Sequence, residues 1–70
     1  MADTRNQAEH VLTHEDGWAV KAEGAEQPTQ VFDTKEEAIQ RAKEIAQNKG
    51  TRAVIHMKDG TIQTQHDYSS

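Results

Sequence analysis

Hydrophobic and polar residues follow two different periods along this chain, and the longest regular pattern is helical. Between residues 33 and 50, apolar side chains recur at the i, i+4 and i+7 spacing of one helix face. These side chains are Ala38, Ile39, Ala42, Ile45 and Ala46. Thr34 and Glu37 form a Thr-x-x-Glu capping box at the start, and Gly50 is a typical helix end. The pattern predicts an amphipathic helix whose three alanines lie close against a sheet.

A period-2 pattern from residue 9 to residue 23 predicts a hairpin around Glu15-Asp16-Gly17. A two-residue turn at Asp16-Gly17 would pair Thr13 with Val20. A three-residue loop over residues 15–17 would instead pair Leu12 with Val20. We favour the three-residue loop because it gathers the apolar residues on one face, and a one-residue slip would scatter them. The residues gathered in this way are Leu12, Trp18, Val20 and Ala22.

The remaining strands are shorter or less regular. A brief third strand is predicted over residues 29–32, after a loop that contains the only proline. Residues 52–58 alternate between apolar and polar side chains as a fourth strand. The Asp59-Gly60 pair that follows is a strong hairpin signal. A two-residue turn there pairs Met57 with Ile62 and Ile55 with Thr64.

Together these elements predict an α+β fold in the order β-β-β-α-β-β. The simplest compact solution is an antiparallel sheet of four to five strands with one helix packed on one face. We expect residues 1–8 to form a disordered N-terminal tail, residues 9–66 a single domain, and residues 67–70 a C-terminal tail. The uncovered sheet face is predicted to carry Ala19, Lys21, Glu23, Val54, His56, Lys58, Gln63 and Gln65.

Composition changes this picture in two respects. Only 33% of the 70 residues are hydrophobic and three are aromatic, so the core is thin, and such a chain often gains stability from a partner. We therefore expect an unknown protein partner or a second copy, that is, a homodimer. There is no cysteine, no apolar leader and no run of transmembrane length, which favours a cytoplasmic protein without a membrane partner. The net charge of −4 disfavours nucleic acid as a partner.

A distinctive string runs from Asp16 to Ala25 and reads Asp-Gly-Trp-Ala-Val-Lys-Ala-Glu-Gly-Ala. It is followed by Phe32-Asp-Thr at the helix cap, by the helix alanines, by Val54-Ile-His and by Asp59-Gly60. Over about residues 10–70 this arrangement resembles the DUF2188 family of small bacterial proteins. The family's usual ending, Asp-Ser-Tyr-Gly, is replaced here by Asp67-Tyr68-Ser69-Ser70. The resemblance implies a stand-alone bacterial protein with no established activity and no catalytic residues to transfer.

The residues that could carry chemistry have simpler explanations. His10 and His14 would lie about 13 Å apart on a strand, too far to share a metal ion. Asp16 and Asp59 each precede a glycine and are typical of turns. The serines at the C-terminus have no nearby base to activate them. The sequence therefore predicts no enzyme activity, no catalytic residue, no metal and no cofactor.

The favoured hypothesis is a small module that binds a protein through the open sheet face, an exposed strand edge or the C-terminal tail. The predicted interaction surface comprises Trp18, Lys21, Arg52, His56, Lys58 and Tyr68. The alternative is weak nucleic-acid binding through the basic members of that surface. The strand pattern and the capped helix resemble the arm-type DNA-binding domain of tyrosine-recombinase integrases, which lays its sheet in the major groove. Twelve acidic residues against eight basic ones disfavour this alternative.

Overall fold

The computed structural model describes residues 7–69, which form five strands and one helix. The bounds are β1 Glu9–His14, β2 Gly17–Ala22, β3 Gln30–Phe32, α1 Lys35–Lys49, β4 Arg52–His56 and β5 Ile62–Asp67. Residues 1–6 of the predicted tail lie outside the described residues, while Ala8 is buried. At the other end, Tyr68 packs against the core. Helix α1 is the one helix within residues 7–69, and it is neither long nor apolar enough to cross a membrane.

The predicted helix is confirmed at both ends. Thr34 is the N-cap, and its side-chain oxygen accepts a hydrogen bond from the backbone N–H of Glu37 at 3.2 Å. The Thr34 hydroxyl in turn donates to the Glu37 carboxylate at 2.9 Å. Gly50 adopts a left-handed conformation with φ 69°, and its N–H bonds the last helical carbonyls. Both ends of α1 are therefore fixed by residues within or next to the helix.

The core lies between α1 and one face of the sheet. Ala38, Ala42 and Ala46 are fully buried, while Ile39 and Ile45 are half-buried beside them. The sheet contributes Val11, Val20, Ala53 and Ile55 to the same cluster. Because the helix meets the sheet through alanines, the two layers lie close together and enclose little apolar volume.

The α+β class is confirmed, but the prediction of a purely antiparallel sheet is wrong. The strands lie in the order β3-β2-β1-β4-β5, and the central pair, β1 and β4, is parallel. The reason is the connection through α1. A helical crossover carries the chain back to the end of the sheet at which β3 begins, so β3 and β4 run parallel. Since β3 is two antiparallel steps from β1, β4 must also run parallel to β1.

The register of the first hairpin differs from both predicted registers. Residues 15 and 16 form the loop, so that His14 lies opposite Gly17, Thr13 opposite Trp18 and Val11 opposite Val20. Gly17 is therefore the first residue of β2 and has no place in the turn. Its φ is 138°, and a Cβ built there would lie 2.1 Å from the carbonyl oxygen of Phe32. This register moves Leu12 to the uncovered face, away from Trp18 and Val20.

The second hairpin is partly as predicted. Ile55 lies opposite Thr64, but Ile62 lies opposite His56, with a bulge at this point, and does not pair with Met57. The Asp59 carboxylate accepts hydrogen bonds from the Thr61 N–H and hydroxyl, at 3.0 and 2.7 Å. These bonds extend the turn to residues 57–61 and displace the pairing by one residue.

A buried ion pair joins the start of β1 to the end of α1. Glu9 is 1% exposed, and its carboxylate accepts a hydrogen bond from the Lys49 ammonium at 2.6 Å. Within residues 7–69 no group donates to the other oxygen of this carboxylate. The pair therefore fixes the last turn of the helix over the first residue of the central strand.

We predict that Gly17→Ala destabilises the fold by at least about 2 kcal/mol, because the new Cβ cannot fit beside the Phe32 carbonyl. Gly50→Ala is the matched control. It also has a positive φ, at 69°, but open space around it, so its cost is about 1–2 kcal/mol. Urea unfolding measures both. Equal costs for the two variants would show that the contact with Phe32 does not set the register.

Candidate interaction surface

The sheet face opposite α1 is uncovered, and the strand register arranges its side chains in rows. One row, here called the apolar row, crosses all five strands. Val31 pairs with Ala19, Ala19 pairs with Leu12, and His56 pairs with Ile62. Leu12 and His56 adjoin because the parallel register of His10 with Val54 continues along β1 and β4. The apolar row therefore comprises Val31, Ala19, Leu12, His56 and Ile62.

The apolar row contains two of the three exposed large hydrophobic side chains among the described residues. The large hydrophobic side chains exposed in residues 7–69 are Val31 at 37%, Met57 at 47% and Ile62 at 54%. Val31 and Ile62 are the two ends of the row, on the two edge strands, while Ala19 within the row is 4% exposed. Met57 follows the end of β4. An apolar strip that extends from edge to edge of an uncovered face is typical of a binding surface.

The other half of the open face is mostly polar, and its arginine lies between two carboxylates. The row next to the apolar row contains Lys21, His10, Val54 and Gln65. Beyond it, Arg52 lies opposite Asp67 and 3.9 Å from the Glu23 carboxylate. The single arginine of this face thus has an acidic residue on either side.

A chain of hydrogen bonds connects His56, His10 and Glu23 across three strands. His56 Nδ1 lies 3.2 Å from the Gly60 carbonyl oxygen, and its Nε2 lies 2.9 Å from His10 Nδ1. His10 Nε2 lies 3.2 Å from Glu23 Oε1. The ring centroids are 5.2 Å apart, so the bonded nitrogens lie between the two rings.

This chain of contacts needs one proton more than two neutral imidazoles provide. Both of its ends, a carbonyl and a carboxylate, only accept hydrogen bonds. Two neutral imidazole rings supply two N–H groups for three contacts. Two neutral rings therefore complete two of these three hydrogen bonds at a time.

Asp67 is held in its ionised form by local donors. The hydroxyl and the backbone N–H of Ser69 both donate to its carboxylate. These bonds, together with the charge of Arg52, lower the pKa of Asp67 from its ordinary value of 3.8. Two hydrogen bonds from Thr61 lower the pKa of Asp59 in the same way. Both carboxylates are therefore occupied in forming turns.

The structure divides the six predicted surface residues between two sides of the sheet. Lys21, Arg52 and His56 lie on the open face, and Lys58 lies in the turn after β4. Trp18 is half-buried on the helix side, with the Lys35 ammonium 4.8 Å from its ring centroid. Tyr68 also packs on the core.

Two features of the open face depart from the sequence prediction. The predicted face omits His10 and Leu12, which the observed register places there. Gln63 was expected there as well, but it accepts a hydrogen bond from Lys35 of the helix. In the sequence, His10 and Leu12 alternate with the apolar Val11. This alternation could have placed both residues on the face opposite the core.

The cavities of this surface are small. The depression beside His10 and Lys21 has a volume of about 240 Å³, below the usual range of ligand pockets, and the one beside Arg52 and Asp67, at about 300 Å³, is at the lower limit of that range. Within residues 7–69 no three histidine or acidic side chains come together in an arrangement that could hold a metal ion.

Comparison with known proteins places the chain in a family. A family model described as "Uncharacterized protein conserved in bacteria (DUF2188)" matches residues 9–68. The "Uncharacterized protein YdaT" of Bacillus subtilis (strain 168) is 59% identical over 58 residues. That match covers 83% of this chain but only 39% of the relative. No solved structure matches the chain.

We predict that the His10–His56 contact contributes about 0.5–1.5 kcal/mol of coupling energy, the usual range for one hydrogen bond. The double-mutant cycle uses His10→Ala, His56→Ala and the double variant, each measured by urea unfolding. A second cycle with His10→Ala and His14→Ala is the control, because no direct contact joins these two side chains. Equal coupling in both cycles would refute a specific contact between His10 and His56.

We predict that Asp67 stabilises the fold at neutral pH and not in strong acid. Its folded-state pKa is lowered, so its contribution is present above 3.8 and disappears as the pH falls through the folded value. Asp67→Asn should lower the urea midpoint at pH 7, and the difference from the unmodified chain should vanish near pH 2. Glu15→Gln, at an exposed turn position, is the control. A difference of the same size at both pH values would contradict this assignment.

Proposed function

We propose that this chain, which belongs to the DUF2188 family of bacterial proteins, is a non-catalytic module whose open sheet face binds an amphipathic helix of a partner protein. The apolar row carries this proposal. It places exposed side chains at both ends, with half-buried Leu12 between them, on a face that no element of residues 7–69 covers. Such a strip with a polar border has the composition of a protein interface.

The dimensions of the apolar row suit a helix. Five adjacent strands about 4.8 Å apart span about 19 Å, which is the length of a helix of about 13 residues. A helix is also the element that packs readily on a sheet, since its apolar stripe can be buried along its whole length. On its other face, the same sheet already binds α1 in this way.

The positive charge of Lys21 indicates what kind of partner helix the apolar row would bind. Lys21 borders the apolar row, and no carboxylate of residues 7–69 pairs with it. An acidic residue beside the partner's apolar stripe would meet this ammonium. We therefore expect the partner helix to carry Glu or Asp on the flank that faces β2.

The absence of catalytic function is supported by two observations. The family description names no activity, and neither does the name of the Bacillus subtilis relative. The carboxylates of Asp59 and Asp67 accept hydrogen bonds that shape the turns, so their roles are accounted for.

Nucleic-acid binding stays a prediction, and it has less support than binding to a protein helix. Of its four proposed residues, Arg52 lies between two carboxylates and His56 is engaged with His10. Lys21 and Lys58 then remain to contact phosphates, fewer than such a surface normally uses. Titration with duplex DNA at low salt, monitored by the amide resonances of Lys21 and Lys58, tests this alternative.

We predict that Ile62→Lys weakens partner binding, because it places a charge at the exposed end of the apolar row. A photo-crosslinking residue at position 62 or 31 should capture the partner in bacterial cells. The partner, once identified, is purified and its affinity is measured by calorimetry. Ile62→Lys should weaken that affinity by about tenfold or more, and removing the acidic flank of the partner helix should weaken it further.

The matched control is Gln47→Lys, which adds the same charge at an exposed position of α1. It should leave the affinity unchanged. Equal loss in both variants would mean that net charge, and not the apolar row, governs binding. Crosslinks formed equally well from position 47, or a partner that binds through a non-helical segment, would also overturn the proposal.

A further inference from the structure

The histidine pair on the open face places two nitrogen lone pairs close to each other. His10 Nε2 contacts the Glu23 carboxylate, which only accepts hydrogen bonds. His56 Nδ1 contacts the Gly60 carbonyl, which likewise only accepts. When both of these outer contacts are hydrogen bonds of neutral rings, neither inner nitrogen carries a proton. The inner nitrogens, His10 Nδ1 and His56 Nε2, are 2.9 Å apart. A cation that accepts both lone pairs would give every ring nitrogen a partner.

The outer contacts are of the kind that metal-bound histidines make. An imidazole that binds a metal ion through one nitrogen almost always donates its other N–H to a carboxylate, a backbone carbonyl or water. His10 has a carboxylate in this position and His56 has a carbonyl, each at 3.2 Å. These two contacts favour the tautomers that leave the inner nitrogens free to bind a metal ion.

We propose that His10 and His56 together bind a divalent transition-metal ion through His10 Nδ1 and His56 Nε2. Imidazole nitrogens suit Cu²⁺, Ni²⁺ and Zn²⁺. The site differs from the pairing of His10 with His14 that strand spacing excludes, because its two ligands come from neighbouring strands. It is independent of the partner binding proposed above.

The separation of the inner nitrogens fits two adjacent ligands of one ion. Zinc–imidazole bonds are about 2.0–2.1 Å long, and at that length two ligands lie about 2.9 Å apart at a right angle and about 3.4 Å apart in a tetrahedron. The observed 2.9 Å matches the right angle of the square-planar sites that Cu²⁺ and Ni²⁺ form. Each ring must turn to aim its lone pair at an ion beside the line between the nitrogens, and the torsion that turns a histidine ring is soft.

The sheet positions both rings. His10 lies opposite Val54 in the parallel register of β1 and β4, and His56 follows Val54 by two residues on the same face. Val54 is 2% exposed, so it provides an apolar floor next to both histidines. The two histidines are themselves half-buried. Both ligands therefore project from the central pair of strands, which is the part of the sheet that α1 supports from the other side.

Water would complete the coordination shell of the ion. Within residues 7–69 no third histidine or acidic side chain joins the pair to form a metal site. The depression of about 240 Å³ that His10 lines gives room for water on one side. Two ligands supply about half of the binding free energy of a four-ligand zinc site, which corresponds to a dissociation constant of roughly 1–200 µM. The positive charge of Lys21, opposite His10, also keeps the binding weak.

Nuclear magnetic resonance with Zn²⁺ as a diamagnetic probe identifies the ligand atoms. Nitrogen-15 spectra of the untagged chain near neutral pH should show changes at both rings when Zn²⁺ is added. Bound His10 should carry its proton on Nε2, and bound His56 should carry its proton on Nδ1. Histidines that bind zinc independently have no reason to adopt these opposite tautomers. The ring resonances of His14 and His66 should stay unchanged.

Calorimetric titration with Cu²⁺, Ni²⁺ and Zn²⁺ measures the affinity. The unmodified chain should bind one ion through this pair, and Cu²⁺ should bind most tightly. His10→Ala and His56→Ala should each weaken Zn²⁺ binding by at least about tenfold, the minimum usual for loss of a group that supports a ligand. His14→Ala is the matched control, since His14 is also half-buried on β1 but its ring accepts a hydrogen bond from the Asp16 N–H. It should leave the affinity unchanged.

A second pair of variants tests the carboxylate behind His10. Glu23→Ala should weaken Zn²⁺ binding by about tenfold, because His10 loses the acceptor that orients its ring. Glu26→Ala removes the same charge at an exposed position of the same loop and should bind Zn²⁺ as the unmodified chain does. Circular dichroism shows that each variant is folded. Equal affinities of the two variants would contradict the assigned role of Glu23.

The proposal is overturned by any of three results. Zn²⁺ could leave the ring resonances of His10 and His56 unchanged, or the bound rings could share one tautomer. His14→Ala could weaken binding as much as His10→Ala does, which would indicate independent surface histidines. His56→Ala could bind Zn²⁺ as tightly as the unmodified chain. None of these measurements involves a partner protein, so they leave the apolar row to the separate test with Ile62→Lys.

Discussion

The structure depends on the close approach of two backbones where β2 begins. Gly17 lies so near the Phe32 carbonyl that any side chain would collide with it. This contact fixes Trp18 opposite Phe32, and through β2 it fixes Val20 opposite Val11. A shift of one residue would turn Val11 towards solvent and Leu12 towards the helix. The core and the open face therefore exist in their present form because a glycine occupies position 17.

A second constraint comes from the small size of the core. Three alanines on α1 allow close packing but bury little apolar area, so the position of the helix needs additional support. The ion pair of Glu9 and Lys49 provides it at one end, where the capping groups of Gly50 also act. A buried ion pair adds little net stability because of its desolvation cost, but it favours one arrangement over others. With the end of α1 held over the start of β1, strand β4 begins beside β1, and the two strands form the parallel central pair.

Sequence alone predicted the features that short segments determine. The helix has both caps within a few residues of its ends, so Thr34 and Gly50 could be assigned directly. The hairpin register could not be predicted, because the position of Gly17 is set by its contact with the carbonyl of Phe32, fifteen residues further along the chain. The parallel pairing of β1 and β4 was missed because each hairpin was considered separately, although a strand–helix–strand connection already requires parallel strands.

The same distinction applies to the candidate surface. Lys21, Arg52 and His56 could be placed on the open face from strand alternation, and the structure has them there. The contact between His10 and His56 joins residues 46 positions apart, and no local pattern indicates it. Trp18 was grouped with Val20 on one face of the hairpin and was also counted in the interaction surface, and its position opposite Phe32 places it on the helix side.

The open face combines two halves with different physical properties, and this favours a protein partner over a phosphate backbone. In the polar half Arg52 lies among Glu23 and Asp67, so its positive charge is largely compensated within the molecule. The apolar half gains free energy only when another apolar surface removes it from water.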